Sequence, residues 1–415
     1  MSRQPQEVFF IGPEPVPALA SGLPVICADS CGVAGAGLQA FPEAGRTSQA
    51  LLDWAPARRL LRERAHGIIV WKGSVAAERQ ATGLGLTIAN SSAKVARRLE
   101  NKAHFSRAAA AEGLPLPETV AGPAGPELLE PALAIGLPLV FQLAHGFSGA
   151  STYPVASEVE LRRLLLRFAG RACRIAELVE GTPVTVTGVA FPDQVVTGPA
   201  CRQLTGIPLL TPHPLGSCGN DFRAQVPHRE LVEETAARVG AWLREQGHRG
   251  VFGVDLVVSD AGRCWCIEVN PRLVASVPLW TLSARDRGEP SLLDQHLSCF
   301  GFGPPLPAPL RCHWSQLILY RYRDSPPSSA SPALPPAATA RGRLGRDGTF
   351  TATAPLSLEG PAAGEAALVV RAASGSGHEL ARLITEGPIT SANGQLLPGL
   401  QTYVGQLRGR LESGG

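Results

Sequence analysis

Residues 266–272 read CIEVNPR and end an otherwise apolar run. In an extended strand, residues two apart share a face. Glu268, Asn270 and Arg272 therefore point to one side, and Ile267 and Val269 to the other. Upstream, GVDLVV carries Asp255, and a turn at residues 259–262 lies midway between Asp255 and Glu268. This spacing predicts a β-hairpin that sets the two carboxylates side by side. Like charges on a half-buried sheet repel one another. A divalent cation between them removes the conflict. Two carboxylates and one amide oxygen suit Mg2+ or Mn2+, with substrate phosphates completing the shell. Arg272 is then placed to neutralise the same phosphate or a developing acyl phosphate. The plain alternative is a strand edge whose polar residues face water.

Several elements must position this hairpin. Over residues 1–98, the runs EVFFIG, LPVICAD and HGIIVWKG alternate with helical spacing at 48–65, which predicts a small parallel α/β domain. Gly32, Gly35 and Gly37 run GxxGxG after the second strand, and only Gly12, followed by Pro13, ends the first. Both features are wrong for a dinucleotide fingerprint. Residues 92–115 read as helix, residues 157–170 as a helix opened by a Ser-x-x-Glu capping box, and residues 229–247 as a strongly amphipathic helix. Residues 137–144, 174–181 and 182–199 read as strands. In the tail, a Pro/Ala/Ser-rich linker at about 323–342 precedes a hairpin in RLGRDGTFTATAP, a strand in EAALVVRAAS and a helix in GHELARLITEG.

At 415 residues the chain is too long for one core, so two or three domains are expected. With 44% hydrophobic and 18% charged residues it reads as a soluble globular protein. A formal charge of +3 is too weak to argue for nucleic acid. No long apolar run predicts a membrane span, and the first residues do not read as a leader. The nine cysteines are scattered and lack paired CxxC spacing, which fits reduced thiols and a cytoplasmic location. Of 38 basic residues only Lys72, Lys94 and Lys102 are lysine, so each lysine stands out.

The pattern GVDLVV…CIEVNPR resembles the metal-binding hairpin of the ATP-grasp superfamily, near its biotin-carboxylase and carbamoyl-phosphate-synthetase branches. The same carboxylate spacing occurs in the D-alanine–D-alanine ligase branch. The resemblance runs in order over about residues 1–300. It implies an α/β (α+β) fold: a Rossmann-like pre-ATP-grasp domain at 1–98, then a two-lobed ATP-grasp domain at 99–300 with a lid lobe at about 115–180. A small C-terminal α/β region at 301–415 would complete the chain. In such a protein Asp255, Glu268 and Asn270 would hold Mg2+ (or Mn2+) on the phosphates of ATP, and Arg272 would orient the phosphorylated carboxylate.

The resemblance also carries a set of ATP contacts. Lys102 would reach the phosphates from the start of a helix. Gln142 occupies the family's second basic position without a charge. Gly146, Ser148 and Gly149 would wrap a phosphate with backbone N–H groups. Glu177, Leu178 and Val179 would receive adenine, and Glu180 would stand in for the ribose acid, since Pro183 occupies its usual place. Gln203, Asn220 and Asp221 would line the site. The implied chemistry is an ATP-dependent carboxylate–amine ligase acting through an acyl phosphate, on an amino acid or small peptide. Its partners would be small-molecule carboxylate and amine substrates, with neither nucleic acid nor membrane, and homodimers are common in the class. Gln142 and Pro183 keep open a nucleotide-binding protein without turnover, and a carboxylase-type enzyme is the other alternative.

Overall fold

The computed structural model describes residues 7–146, 149–322, 339–345, 347–371 and 378–412. Most of the proline-rich linker, and Ser148, lie outside them. The first apolar runs form a parallel sheet: β1 (Glu7–Gly12), β2 (Val25–Cys27), β3 (Leu38–Ala40), β4 (Ala65–Val70) and β5 (Thr87–Ile88), in the order β3-β2-β1-β4-β5. The inner strands β1, β2 and β4 are apolar and buried over most of their length because both faces are covered. Phe9 and Ile11 enter one core and Phe10 the other. A 3-10 turn at Val16–Ala18, not an α-helix, follows β1, in keeping with the glycine spacing.

The second unit is a four-stranded antiparallel sheet of β6 (Thr119–Pro123), β7 (Leu139–Leu143), β8 (Thr152–Val155) and β9 (Ala172–Glu177), ordered β6-β9-β7-β8. Leu139, Phe141, Cys173 and Ile175 pack under its helices. The third is a long antiparallel sheet. It comprises β10 (Thr182–Ala190), β11 (Val195–Thr197), β12 (Cys201–Thr205), β13 (Ser217–Asp221), β14 (Gly250–Val258), β15 (Cys264–Asn270) and β16 (Ser315–Tyr320). The tail adds β17 (Ala340–Leu344), β18 (Phe350–Pro355), β19 (Ala366–Val370) and β20 (Glu379–Thr385). The main path is β15-β14-β10-β12-β13-β16-β20-β19-β17-β18. Helix Arg229–Glu245 covers one face through Val232, Ala236, Val239 and Leu243.

Two expectations need correction. Residues 92–115 do not form one helix. Asn101 is extended, and its side chain accepts from the His104 N–H (2.9 Å), so helix Ala93–Glu100 ends and helix Lys102–Ala111 starts afresh. The helix read in GHELARLITEG is strand β20, which pairs with β16 and β19 and is buried from Leu380 to Thr385. Two flanking strands outweigh a modest helix propensity there. The C-terminal strands extend the main sheet through the pairing of β13 with β16 and of β16 with β20. The tail hairpin does form, as β17 and β18. Among the described residues no helix is long and apolar enough to cross a membrane.

Candidate active site

Strands β14 and β15 pair antiparallel with Asp255 directly opposite Glu268, as the spacing requires. The pairing then shifts, so that Leu256 faces Cys266 and Ile267 is an extra residue in β15. This bulge changes which side chains turn inward. Cys264 and Cys266 face the helix-covered core before it, and Val269 does so after it. Glu268 and Asn270 are thereby turned to the opposite face from Cys264 and Cys266, beside Asp255.

The carboxylates are closely held. Asp255 Oδ1 accepts from Gln203 Nε2 (3.0 Å) and Oδ2 from Asn270 Nδ2 (3.0 Å). Burial, and next the charge of Glu268, push the Asp255 carboxyl up to about 6, against hydrogen bonds from Thr185, Gln203 and Asn270 that pull it down. Glu268 Oε2 lies 3.0 Å from Lys102 Nζ, the first residue of its helix and 4% exposed. Asn270 Oδ1 accepts from Arg272 Nη2 (3.0 Å). Arg272 Nε donates to Glu100 Oε1 (2.6 Å), and Glu100 Oε2 pairs with Lys72 Nζ (2.9 Å). Burial pushes the Glu100 carboxyl up, but Arg272 and Lys72 hold it below the usual range. Two of the three lysines thus meet this cluster, one of them from the first domain.

The donor set fits a divalent cation that shares its shell with phosphates. Asp255 and Glu268 face each other as acidic oxygen donors, and among the described residues no group of three or more His, Cys, Asp or Glu closes a cage. Asn270 directs nitrogen at Asp255 and oxygen at Arg272, so its amide must turn over to serve as a ligand.

Residues 100–276 match the family model described as ATP-grasp domain. The chain carries an ATP-grasp domain. The carbamoyl phosphate synthase large chain of Pyrococcus furiosus is 25% identical over 239 residues, covering 54% of this chain and 21% of that protein. The chain therefore spans about a fifth of that relative. Among solved structures, the carboxyaminoimidazole ribonucleotide synthase of Aspergillus clavatus complexed with ATP superposes with a TM-score of 0.59 at 15% identity, over 98% of this chain and 99% of that one. Campylobacter jejuni biotin carboxylase gives 0.61 at 13% identity, over 91% and 87%. These likenesses extend the shared fold over nearly the whole chain.

Within the ATP-grasp domain the other expected residues divide. Gln203 reaches Asp255, and Asn220, paired with Gln203 in register, is held by Gln316 Nε2 at 2.8 Å. Asp221 does not line the site. It is fully buried on the other side of β13 and accepts six hydrogen bonds. Arg223 N, Ala224 N and Ser315 Oγ donate to one oxygen, and Ile389 N, Thr390 N and Thr390 Oγ1 to the other. Asp221→Ala is expected to cost about 3–5 kcal/mol, because buried donors lose their acceptor. Urea unfolding checks this. Loss of nucleotide binding at unchanged stability would restore Asp221 to the site.

Gly146 is exposed, and Gly149 has φ +79°. A Cβ on Gly149 would meet Gly216 Cα at 2.6 Å, so only glycine lets this loop rest on the main sheet's loop. At the end of β9, Glu177 to Val179 are half-buried and Glu180 is exposed. The Leu178 N–H is committed to Pro138 O (3.1 Å) and so is not free to donate to a ligand. Gln142 is 5% exposed, and its oxygen accepts from Arg174, its cross-strand partner. Arg174, Glu100 and Lys72 were not read from the sequence as site residues. The one available signal for Arg174 was a charge inside the apolar strand RIAE.

Proposed function

We propose that this chain is an ATP- and Mg2+-dependent ligase that activates a carboxylate as an acyl phosphate and joins it to an amine. One observation carries the reading: the in-register Asp255–Glu268 pair, faced by buried Lys102, inside an ATP-grasp domain. Unpaired, two such carboxylates raise the cost of burying each other. Lys102 offsets that cost at Glu268, and a divalent cation between the two would offset it at both.

Asp255, Glu268 and a turned Asn270 would hold Mg2+, which supplies charge neutralisation at the phosphates when bound. Lys102, which pairs with Glu268 at 3.0 Å, would be within reach to neutralise a phosphate oxygen once Mg2+ is bound. Arg272, fixed by Glu100 and Asn270, presents its remaining guanidinium hydrogens to the substrate oxyanion. A carboxylate oxygen attacks the γ-phosphorus and ADP leaves. The amine nitrogen then attacks the acyl carbon, phosphate leaves, and the amine gives up a proton. The hinge residues Glu177, Leu178, Val179 and Glu180 would hold adenosine. The partners on this reading are small-molecule substrates, in a cytoplasmic setting and with a homodimer as the assembly to look for.

An amino acid or small peptide is the first choice of substrate. Bicarbonate is the second, in line with the fold likeness to the biotin carboxylase domain of Hydrogenobacter thermophilus 2-oxoglutarate carboxylase solved with bicarbonate (TM-score 0.60, 14% identity, over 93% of this chain and 87% of that one). Phosphate release from Mg-ATP by the purified chain tests both, with amino-acid and amine pools in one series and bicarbonate with amines in another. Release that needs an amino-acid pool supports the first choice, and release that needs bicarbonate moves the assignment to the second. ADP binding without release in either series would leave a nucleotide-binding protein.

A further inference from the structure

The sequence left an oddity at Gln142: a neutral residue where the resemblance calls for a cation. The structure places a cation beside it. Arg174 lies opposite Gln142 on β9, is 2% exposed, and donates to Gln142 Oε1 from both Nε (3.0 Å) and Nη2. Gln142 is itself fixed, since its Nε2 donates to Thr152 Oγ1 (3.2 Å) on β8. The other end of the guanidinium leaves its own sheet. Nη1 donates to the carbonyl of Ile267 (2.8 Å) and to Ser106 Oγ (3.3 Å). Ile267 is the bulge residue, immediately before Glu268. Ser106 is one turn along the helix from Lys102, whose carbonyl it caps at 2.9 Å.

We propose that Arg174 is a positioning residue for the cation site: it ties the β7–β9 pair to the Ile267 bulge and so fixes the direction of Glu268. Ile267 is skipped in the cross-strand register, so the bulge just before Glu268 is a point where the ladder alone gives no lateral hold. A guanidinium can hold Gln142 and Ile267 at once because its donors form a rigid fork, and a glutamine at 142 leaves that fork intact where a second cation would repel it. On this account Gln142 is the anchor for Arg174.

The proposal rests on the ligase reading, and the test separates the two. ADP is titrated calorimetrically into the full-length chain with Mg2+ and again with EDTA, and the ratio of the two affinities is the metal coupling. In Arg174→Gln the coupling is expected to fall about 10–100-fold, the size seen when a group that orients a metal ligand is lost. ADP affinity in EDTA should stay within about threefold, because Arg174 orients the carboxylate and not the nucleotide. Arg174→Lys keeps the charge but cannot span both partners, and should recover only part of the coupling. Gln142→Leu removes the anchor alone and gives a smaller loss in the same direction, which keeps the test available where Arg174→Gln does not fold. Unchanged coupling in a folded Arg174→Gln variant would overturn the proposal. So would tighter Mg2+ coupling, the result expected if the residue acted only as a nearby positive charge. A wild-type chain that binds ADP with no metal dependence would instead overturn the ligase reading, and this inference with it.

Discussion

Replacing Glu268 with Gln is expected to lower Mg-ATP-dependent phosphate release by at least about 10²–10³-fold, or roughly 3–4 kcal/mol of transition-state stabilisation. Glu268 is one of only two carboxylates that face each other in the site, so its loss leaves Asp255 alone to bind the cation. The amide is the informative replacement. Its oxygen can still accept from Lys102 Nζ, which sits 3.0 Å from Glu268 and is almost fully buried. An alanine would strand that ammonium and confuse lost catalysis with lost folding. The change also removes the like charge that helps to push Asp255 up. The melting temperature without metal should therefore move by only a few degrees while turnover collapses. Phosphate release across a Mg2+ series, with thermal melts alongside, gives both numbers. Retained turnover at saturating Mg2+ would remove Glu268 from the metal site and the ligase reading with it.

What was legible in the sequence follows from how local each feature is. The Asp255–Glu268 pairing depends on strand parity and one short turn, both contained in residues 250–272, and the register agrees. The bulge at Ile267 was not legible. One extra residue in a strand leaves no mark in composition, although it decides that Cys266 and Glu268 face opposite ways. Neighbouring residues on a strand cannot both line one site. That rule alone could have separated Asn220 from Asp221, and the structure gives Asn220 to the polar row and Asp221 to the core. The Arg174 fork joins residues 142, 174 and 267, which meet only when two sheets are stacked, so no spacing rule encodes it. Strand β20 was misread for a related reason. Its local pattern suits a helix, but β16 and β19 offer hydrogen-bond partners on both sides.

Acid is expected to destabilise the chain steeply between pH 6.5 and 4, through two buried histidines that grip β14. His296 Nδ1 accepts from Val251 N (2.9 Å), and its Nε2 donates to Ala89 O (2.7 Å) in the first domain. His248 Nε2 donates to Val251 O (3.0 Å). Val251 is the second residue of the strand that carries Asp255, and both its backbone N–H and its carbonyl are held by imidazole rings. A proton on His296 Nδ1 would face the Val251 N–H, donor against donor. Burial pushes both histidines down from 6.5 to about 4. The sign follows directly. Unfolded histidines take up protons below pH 6.5 and the folded ones refuse them until about pH 4. Their contribution is complete above 6.5 and is lost as pH falls through that window. Each is worth about 3 kcal/mol over the whole window, and about 2 kcal/mol by pH 5. Asp255 works the other way: its folded pKa of about 6 is raised, so acid relieves the cost of its charge in part of the same range. A variant comparison separates the two. In His296→Gln the amide can accept from Val251 N and donate to Ala89 O without titrating. Urea unfolding at pH 7.5 and at pH 5 should show a stability drop smaller by about 2 kcal/mol than in the wild type. Equal drops would mean that His296 does not stay neutral in the fold. The strand that presents Asp255 would then owe its acid sensitivity to other groups.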